Sequence, residues 1–215
     1  MLLKSKQPKT NMQQKNKIMK TKIKNTLGAL MLFSTLLVAG QNQFKAATES
    51  SVINWKGFKP TGEHYGTVKV KSGSFTIENK KIVAGEFEID MNSIVVLDIP
   101  ADESSNAKLT KHLKSDDFFG VRKHPVAIFQ ITSTEAKGEK TLIKGNLSIK
   151  EKTNPVSFLA AVSLDGETIM LKSETFEIDR SKWDIKFKSQ SFFDDLGDKF
   201  ISDDMELSIE VLGKK

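Results

Sequence analysis

Three histidines are the side chains of this sequence best suited to metal binding or proton transfer: His64, His112 and His124. Zinc ligands in proteins recur at short, characteristic spacings. These histidines lie 48 and 12 residues apart, which matches no zinc-ligand motif. The spacing therefore predicts no metal site. We expect His64 and His112 either to stabilise local structure or to contact the polar head group of a ligand.

Acidic side chains could also do chemistry, but they lack a recognised arrangement. The run 194–198, followed by Asp203 and Asp204, does not have the ligand spacing of an EF-hand loop and is predicted to be a solvated surface. Glu86 and Glu88 alternate with apolar residues and should face water, where a raised pKa is not expected. No G-x-S-x-G, H-E-x-x-H or Gly-rich phosphate motif is present, and there is no cysteine. We predict no catalytic residues and no cofactor.

The elements that must position these side chains are β-strands, because apolar and polar residues alternate along most of the chain. The predicted strands are 51–58, 65–71, 73–77, 83–91, 126–131, 141–150, 156–164, 168–178 and 205–211. In 83–91 the alternation assigns Val83 to the apolar face, together with Phe87. Turns are predicted at Asn79-Lys80, Lys137-Gly138 and Asp165-Gly166. Helical structure is predicted only at 104–115, 181–183 and 192–196.

Strands of this number and length predict a closed sheet, because open edges would promote association between molecules. Residues 109–132 contain a helical turn, the pair Phe118-Phe119 and the start of a strand, and we interpret them as the crossing between two halves of a barrel. Lysine and glutamate crowd the polar faces, so the apolar faces should line the interior, the reverse of an outer-membrane barrel. The predicted fold is all-β, an extended eight-stranded antiparallel β-barrel with short helical segments and room for a ligand.

Residues 1–47 have the layout of a secretory signal peptide. Lysines precede an apolar core from Leu27 to Gly40, and small residues follow it as far as Ala47. That core is shorter than the roughly twenty residues that span a bilayer, and no cysteine follows it that could carry a lipid. We predict cleavage near 40–47, an over-extended start with Met19 as the ordinary one, and a periplasmic or secreted domain at 48–215. A retained N-terminal anchor is the alternative.

The net charge of +6 comes from this leader. Nine of the 33 basic residues lie in 1–47, where no residue is acidic, so the rest of the chain has 24 basic and 27 acidic residues. Nucleic-acid binding needs a basic surface on the folded domain, so we predict no nucleic-acid partner. Without cysteine there are no disulfide bonds, and the hydrophobic core alone must stabilise a single domain.

Several segments resemble, in order, those of the YceI-like family: SVINW (51–55), GEHYGTVKVKSGSF (62–75), GEFEIDMNSI (85–94), LTKHLKSDDFFGVRKHPVAIFQITS (109–133), GNLSIKEKTNPVSF (145–158) and FEIDRSKWDIKF (176–187). Together they span essentially all of 50–212. The resemblance implies a secreted, periplasm-facing, lipocalin-like barrel that binds a long isoprenoid or similar amphiphile and is not an enzyme. Lys123-His124 replaces the aromatic residue that often precedes this proline in the family, so any contact made by that aromatic is in doubt.

A bound alkyl chain needs continuous dry surface, and each buried CH₂ contributes about 0.8 kcal/mol. The residues predicted to line the apolar bore are Trp55, Phe75, Phe87, Ile89, Phe129, Leu147, Phe158 and Phe176. The candidates for contact with a polar head group are His64, His112, Lys114 and Arg180. A structural ion pair is the alternative for Arg180.

The predicted partner is therefore a long-chain lipid, namely an isoprenoid, a quinone, or a fatty acid or amide, held for transport or storage. Two alternatives stay open. One is an envelope stress or structural barrel without a stoichiometric ligand, and the other is a hydrolase or isomerase that acts on a lipid. Bound lipid would separate the carrier from the filled barrel, and turnover of that lipid would separate the carrier from the enzyme. Homodimer formation is also open, and the domain is not predicted to be an integral membrane protein.

Overall fold

The computed structural model describes residues 42–215. The strands are β1 (Asn42–Ala46), β2 (Val52–Lys59), β3 (Gly62–Glu78), β4 (Lys81–Val96), β5 (Val126–Lys137), β6 (Lys140–Ile149), β7 (Lys152–Asp165), β8 (Thr168–Ser173), β9 (Phe176–Asp179) and β10 (Asp204–Lys214). The helical segments are α1 (Ser104–Lys114) and 3₁₀ turns at Thr48–Ser50, Arg180–Trp183 and Gly197–Lys199. Of the predicted signal peptide, residues 1–41 lie outside the described part of the chain.

Eight strands close into a ring in the order β2-β3-β4-β5-β6-β7-β8-β10, and β10 pairs with β2 to complete it. Every pairing is antiparallel, which confirms the predicted barrel. At one end of the barrel, β1 continues in line with β2 and pairs with the same two neighbours, β3 and β10. At the other end, β9 continues in line with β8 and pairs with β10. These two short strands cover edges that would otherwise stay unpaired.

The short turns between the strands contain residues with a left-handed backbone conformation. Asn79 and Lys80 have φ values of 50° and 61° between β3 and β4, the geometry of a tight hairpin turn. Gly138 and Gly166, with φ of 62° and 55°, make the turns after β5 and β7. All three predicted turns are therefore confirmed.

The interior of the barrel is apolar and its outer surface is charged, as the alternation predicts. Lys69, Lys71 and Glu86, for example, are exposed on the outer face. One assignment is wrong: Val83 is 38% exposed, whereas its neighbour Ile82 is buried. The register of β3 and β4 shifts between Thr76 and Ile77, and this irregularity reverses the alternation at the start of β4.

The helical predictions differ in outcome. The prediction for 104–115 is confirmed by α1, and that for 181–183 by the 3₁₀ turn at Arg180–Trp183. The prediction for 192–196 is wrong, because that segment is irregular. Asp195 has a left-handed backbone, with φ of 58°, which a right-handed α-helix does not accommodate.

The two ends of the barrel are filled differently. At the end where β1 lies, apolar side chains pack into a solid core that includes Phe44, Ile77, Ile82, Ile143 and Ile169, all buried. We call this the closed end. The opposite end is formed by the β2–β3 hairpin, by the connection 97–125 with α1, and by residues 180–203. We call it the mouth, and the candidate site lies between the two.

Candidate ligand-binding cavity

An apolar cavity extends inward from the mouth along the barrel interior. Its wall is formed almost entirely by aliphatic and aromatic side chains from all eight strands of the ring and from α1. The volume open to the centres of water-sized groups is about 200 Å³. One water takes up about 30 Å³ in the liquid, so the cavity has room for roughly seven groups the size of water or methylene. The space is large enough for a segment of a lipid chain.

The structure brings all eight residues of the predicted bore to this cavity: Trp55, Phe75, Phe87, Ile89, Phe129, Leu147, Phe158 and Phe176. They come from seven strands and meet because alternate residues of each strand point inward. That they contact a ligand stays a prediction. Sequence reasoning did not assign Leu109, Leu113, Phe118 and Phe119 to the wall, although it singled out this stretch as the crossing over the barrel.

The aromatic side chains of the wall form two groups. The rings of Phe158 and Phe176 are stacked with their centroids 4.6 Å apart, and Phe129 lies 5.7 Å from Phe158. Phe75 and Phe87 make an edge-to-face pair at 4.8 Å. Such contacts hold the rings in position beyond what area burial alone provides. The rings therefore form a firm wall rather than collapsing into the open space.

Glycines on the neighbouring strands let these rings lie flat against the backbone. A methyl group on Gly73 would stand 2.3 Å from Cδ1 of Phe87, and one on Gly145 would stand 2.5 Å from Cζ of Phe129. Either contact is far closer than real carbon atoms approach each other. Any larger residue at these positions would push a ring toward the cavity axis, so the glycines keep the bore open.

His64 is the predicted head-group candidate with the clearest geometry. It lines the cavity at the mouth, and its Nδ1 lies 2.7 Å from Oδ2 of Asp98. Asp98 also accepts a hydrogen bond from the backbone N–H of Tyr65 at 3.0 Å. Burial alone would raise the pKa of Asp98, but these hydrogen bonds outweigh it and hold the pKa below the ordinary aspartate value. Asp98 is therefore an ionised acceptor that orients the imidazole.

Asp98 was not predicted as a site residue, although the sequence held a signal for it. Gly66 of β3 pairs with Val96 of β4. Because the strands run antiparallel, continuing this register by two residues places Asp98 beside His64. An antiparallel register, once assumed, would have placed the carboxylate next to the imidazole.

Arg180 lines the inner edge of the mouth, but its guanidinium is engaged by the protein. Its side chain is only 4% exposed, and its Nη2 lies 3.3 Å from Oδ1 of Asp203. It donates to backbone carbonyl oxygens at 2.6 to 3.1 Å, those of Ile185, Phe187, Ile201 and Ser202. Burial lowers the pKa of Arg180, an effect opposed by Asp203 and Asp179. The geometry matches the structural ion pair named as the alternative, and Arg180 clamps the segment 185–202.

The other two head-group candidates do not line the cavity. The ring of His112 lies edge-on to those of Phe118 and Phe187, with centroids 5.0 and 4.7 Å away. Its Nε2 is 3.3 Å from Oδ2 of Asp117. Lys114 donates to the backbone oxygen of Asn92 at 2.7 Å, on the outside of the barrel. Both side chains hold the connection over the mouth in place.

The part of the chain that the structure describes has neither a metal-binding cluster nor a membrane-spanning helix. Between residues 42 and 215, no three or more histidine, aspartate or glutamate side chains are grouped so that they could hold a metal ion. Within the same range, no helix has both the length and the apolar character to cross a membrane.

The family of the chain follows from comparison with known sequences. The model of the YceI-like domain matches residues 44–212, which is most of the chain and all eight strands of the ring. The chain belongs to the YceI-like family. Its relatives include a UPF0312 protein of Azotobacter vinelandii, 34% identical over 156 residues, an alignment that covers 67% of this chain and 76% of the relative.

Solved structures show the same fold for this YceI-like domain. One is BcnA of Burkholderia cenocepacia, with a TM-score of 0.57 and 17% identity, covering 76% of this chain and 96% of BcnA. Another is a polyisoprenoid binding domain of Saccharophagus degradans, implicated in plant cell wall breakdown, with a TM-score of 0.56 and 15% identity. It covers 80% of this chain and 97% of that domain. At these identities the likeness establishes the barrel architecture.

Proposed function

We propose that this chain is a periplasmic or secreted lipid-binding protein that holds one long-chain isoprenoid or similar amphiphile in its cavity, for transport or storage and without transforming it. The observation that carries the proposal is the open, apolar space between the mouth and the closed end. Its wall has the chemistry that an alkyl or isoprenoid chain requires, which is continuous apolar surface shielded from water. Membership of the YceI-like family, and the polyisoprenoid-binding name of one structural neighbour, support the same ligand class.

The cavity as it stands accounts for part of the binding energy of a long chain. Roughly seven methylene-sized groups at about 0.8 kcal/mol each give about 6 kcal/mol of gross burial energy. Association costs about 4 kcal/mol or more, so burial of these groups leaves at most about 2 kcal/mol. Contacts with the rest of the chain or with its head group must therefore supply much of the affinity.

The location outside the cytoplasm rests on the leader described above. The apolar core of 27–40, followed by small residues, is typical of a cleaved signal, and the domain carries no cysteine that would need protection from oxidation. Sequencing the N-terminus of the protein recovered from the periplasm or the medium tests this part of the proposal. Recovery of an unprocessed chain from the membrane fraction would favour the retained anchor instead.

Lipid content can be measured directly. Native mass spectrometry of the purified protein should show one bound lipid per chain, and mass spectrometry of an organic extract should identify it. If native spectra show only bare protein, even after incubation with isoprenoids and quinones, the barrel is a structural one. If the lipid is recovered chemically altered after incubation, the protein is an enzyme. A lipid recovered unaltered in stoichiometric amount supports the carrier.

A further inference from the structure

Two adjacent phenylalanines near the mouth are exposed to solvent. Phe192 and Phe193 are 49% and 51% exposed, whereas every other phenylalanine in residues 42–215 is buried or half-buried. Single exposed apolar side chains are ordinary on protein surfaces, but two neighbouring aromatic rings form a patch, and such patches mark interaction surfaces. The pair therefore indicates a surface that another molecule covers.

The backbone holds these two rings outward on a fixed support. The N–H groups of Phe192 and Phe193 both donate to the carbonyl oxygen of Ser189, at 3.2 and 3.0 Å. Ser189 is fully buried, and its Oγ donates to Oδ2 of Asp203 at 2.7 Å. Asp203 is in turn paired with Arg180 at the inner edge of the mouth. The exposure of the two rings thus follows from the fold.

The helix α1, which lies over the same end of the barrel, is basic. It contains three lysines and no acidic residue. Two of them, Lys108 and Lys111, are exposed, and neither is in an ion pair within the part of the chain that the structure describes. The ring of His112 on α1 lies 4.7 Å from that of Phe187, so the helix contacts the segment that leads to the exposed pair. The mouth therefore presents positive charge that no acidic side chain compensates.

The segment that carries the aromatic pair is electrically balanced. Residues 182–199 contain four lysines and four aspartates. Nζ of Lys186 lies 4.5 Å from the centre of the Phe192 ring and is paired with Asp184. A lysine can keep its ammonium group in water while its stem and the ring beside it enter an apolar phase. The pair should therefore bind mainly through apolar contact, and α1 should add a preference for anionic surfaces.

The cavity opens beside these groups. Leu109 of α1 and Ile201, which follows the balanced segment, both line the cavity, so its mouth has the basic helix on one side and that segment on the other. A lipid chain that leaves a bilayer exposes its methylene groups to water unless the opening faces the bilayer directly. The exposed rings thus border the opening through which an apolar ligand must pass.

Building on the proposed function, we propose that the mouth docks on the surface of a lipid bilayer. Phe192 and Phe193 enter the boundary between head groups and acyl chains, and Lys108 and Lys111 lie near the lipid phosphates. We call these four residues the docking face. In the docked state a lipid chain passes between the bilayer and the cavity without crossing water.

Docking can be measured with vesicles of phosphatidylcholine alone, and of phosphatidylcholine with about one quarter phosphatidylglycerol, which is anionic. The protein used is the chain that begins at residue 41, because the apolar core of 27–40 would bind vesicles by itself. Co-sedimentation gives the partition coefficient of the protein. Two loading assays accompany it: transfer of a long-chain polyprenol from the vesicles, and binding of the shorter isoprenoid alcohol farnesol from solution.

Phe192→Ser combined with Phe193→Ser should lower the partition coefficient about tenfold or more on both kinds of vesicle. The same double variant should slow polyprenol transfer by a similar factor and leave the affinity for farnesol unchanged, because the cavity is intact. Lys108→Gln combined with Lys111→Gln should lower partitioning about tenfold on the anionic vesicles and leave it unchanged on the neutral ones.

The closed end supplies a matched control. Val83 and Leu164 are 38% and 36% exposed there, so Val83→Ser combined with Leu164→Ser also removes two exposed apolar side chains. This control should bind both kinds of vesicle, and take up polyprenol, as the wild type does.

Three results would overturn the docking face. They are a wild type that binds neither kind of vesicle, a control variant that loses as much binding as the phenylalanine variant, and a wild-type dimer in analytical ultracentrifugation that the phenylalanine variant dissociates. The last result would assign the exposed rings to a second copy of the chain. Vesicle binding with no uptake of polyprenol or farnesol would instead refute the lipid carrier and leave the docking face intact.

Discussion

A leucine placed in the cavity should behave in the opposite way to a leucine placed in the closed end. Ala127 on β5 is 3% exposed and lines the cavity. Ala127→Leu adds three carbon atoms, which would occupy about three of the roughly seven methylene-sized positions. At about 0.8 kcal/mol each, those positions contribute about 2.4 kcal/mol to a chain that fills the cavity. The variant should therefore bind farnesol about 50-fold more weakly.

The same three carbons should not harm the unliganded fold, because they enter space that is already open. Urea unfolding of the delipidated Ala127→Leu protein should give a free energy of unfolding equal to or above that of the wild type. Ala160 on β7 supplies the matched control, since it is fully buried at 0% exposure but does not line the cavity. Ala160→Leu should lose about 1–3 kcal/mol through overpacking. Equal losses of stability in both variants, with farnesol binding unchanged in Ala127→Leu, would show that the interior is packed throughout.

Three further predictions concern the parts that surround the cavity. Arg180→Met should lower the free energy of unfolding by about 3–5 kcal/mol, because it removes the ion pair with Asp203 and the hydrogen bonds to four carbonyl oxygens. A loss below about 1 kcal/mol in urea unfolding would show a lesser role for Arg180. The folded-state pKa of Asp98 is lowered, so its contribution to stability is present above the unfolded value near 3.8 and is lost as the pH falls through the folded value. The stability difference between wild type and Asp98→Asn should accordingly be constant between about pH 5 and 7 and shrink below about pH 4. A difference that stays independent of pH down to about pH 2 would contradict the assignment. The mature N-terminus should lie before Asn42, because Phe44 is 1% exposed in the closed end, and a chain that starts at residue 48 should be less stable by about 3–5 kcal/mol than one that starts at residue 41.

Most of the barrel was predictable because its information is local. The alternation of Trp55 with its polar neighbours, or the turn residues Asn79-Lys80, can be read without knowing which strands pair. Val83 was assigned to the wrong face because strict alternation of inward and outward side chains was assumed along the strand. The irregularity that interrupts this alternation depends on the pairing of β3 with β4, which the sequence of one strand does not show. Residues 192–196 were taken for a helix because left-handed residues other than glycine, such as Asp195, leave no clear mark in a sequence.

In the candidate site, too, the apolar residues were predictable from local sequence and the polar residues were not. The aromatic wall was predictable, since inward-facing residues of a closed barrel must meet at its axis, as Phe158 and Phe176 do. The polar side chains were not, because their partners are distant in sequence. Arg180 meets carbonyl groups of a segment without regular structure, and Asp98 meets His64 across two strands. The tertiary structure therefore decides which polar side chains are bonded to other groups of the protein, and the sequence pattern of a single strand does not show this.

The open space itself argues for an occupant. Unfilled apolar volume costs roughly 24 cal/mol per Å³, so a cavity of about 200 Å³ forgoes about 5 kcal/mol of stability. The cost is comparable to the whole stability of many domains, and the solid closed end around Phe44 must offset it. A glycine such as Gly145 maintains the space where any larger residue would push Phe129 inward and reduce it. A ligand that fills the cavity returns this energy to the folded state, so by linkage the protein should melt at a higher temperature when loaded, and by an amount that rises with ligand concentration.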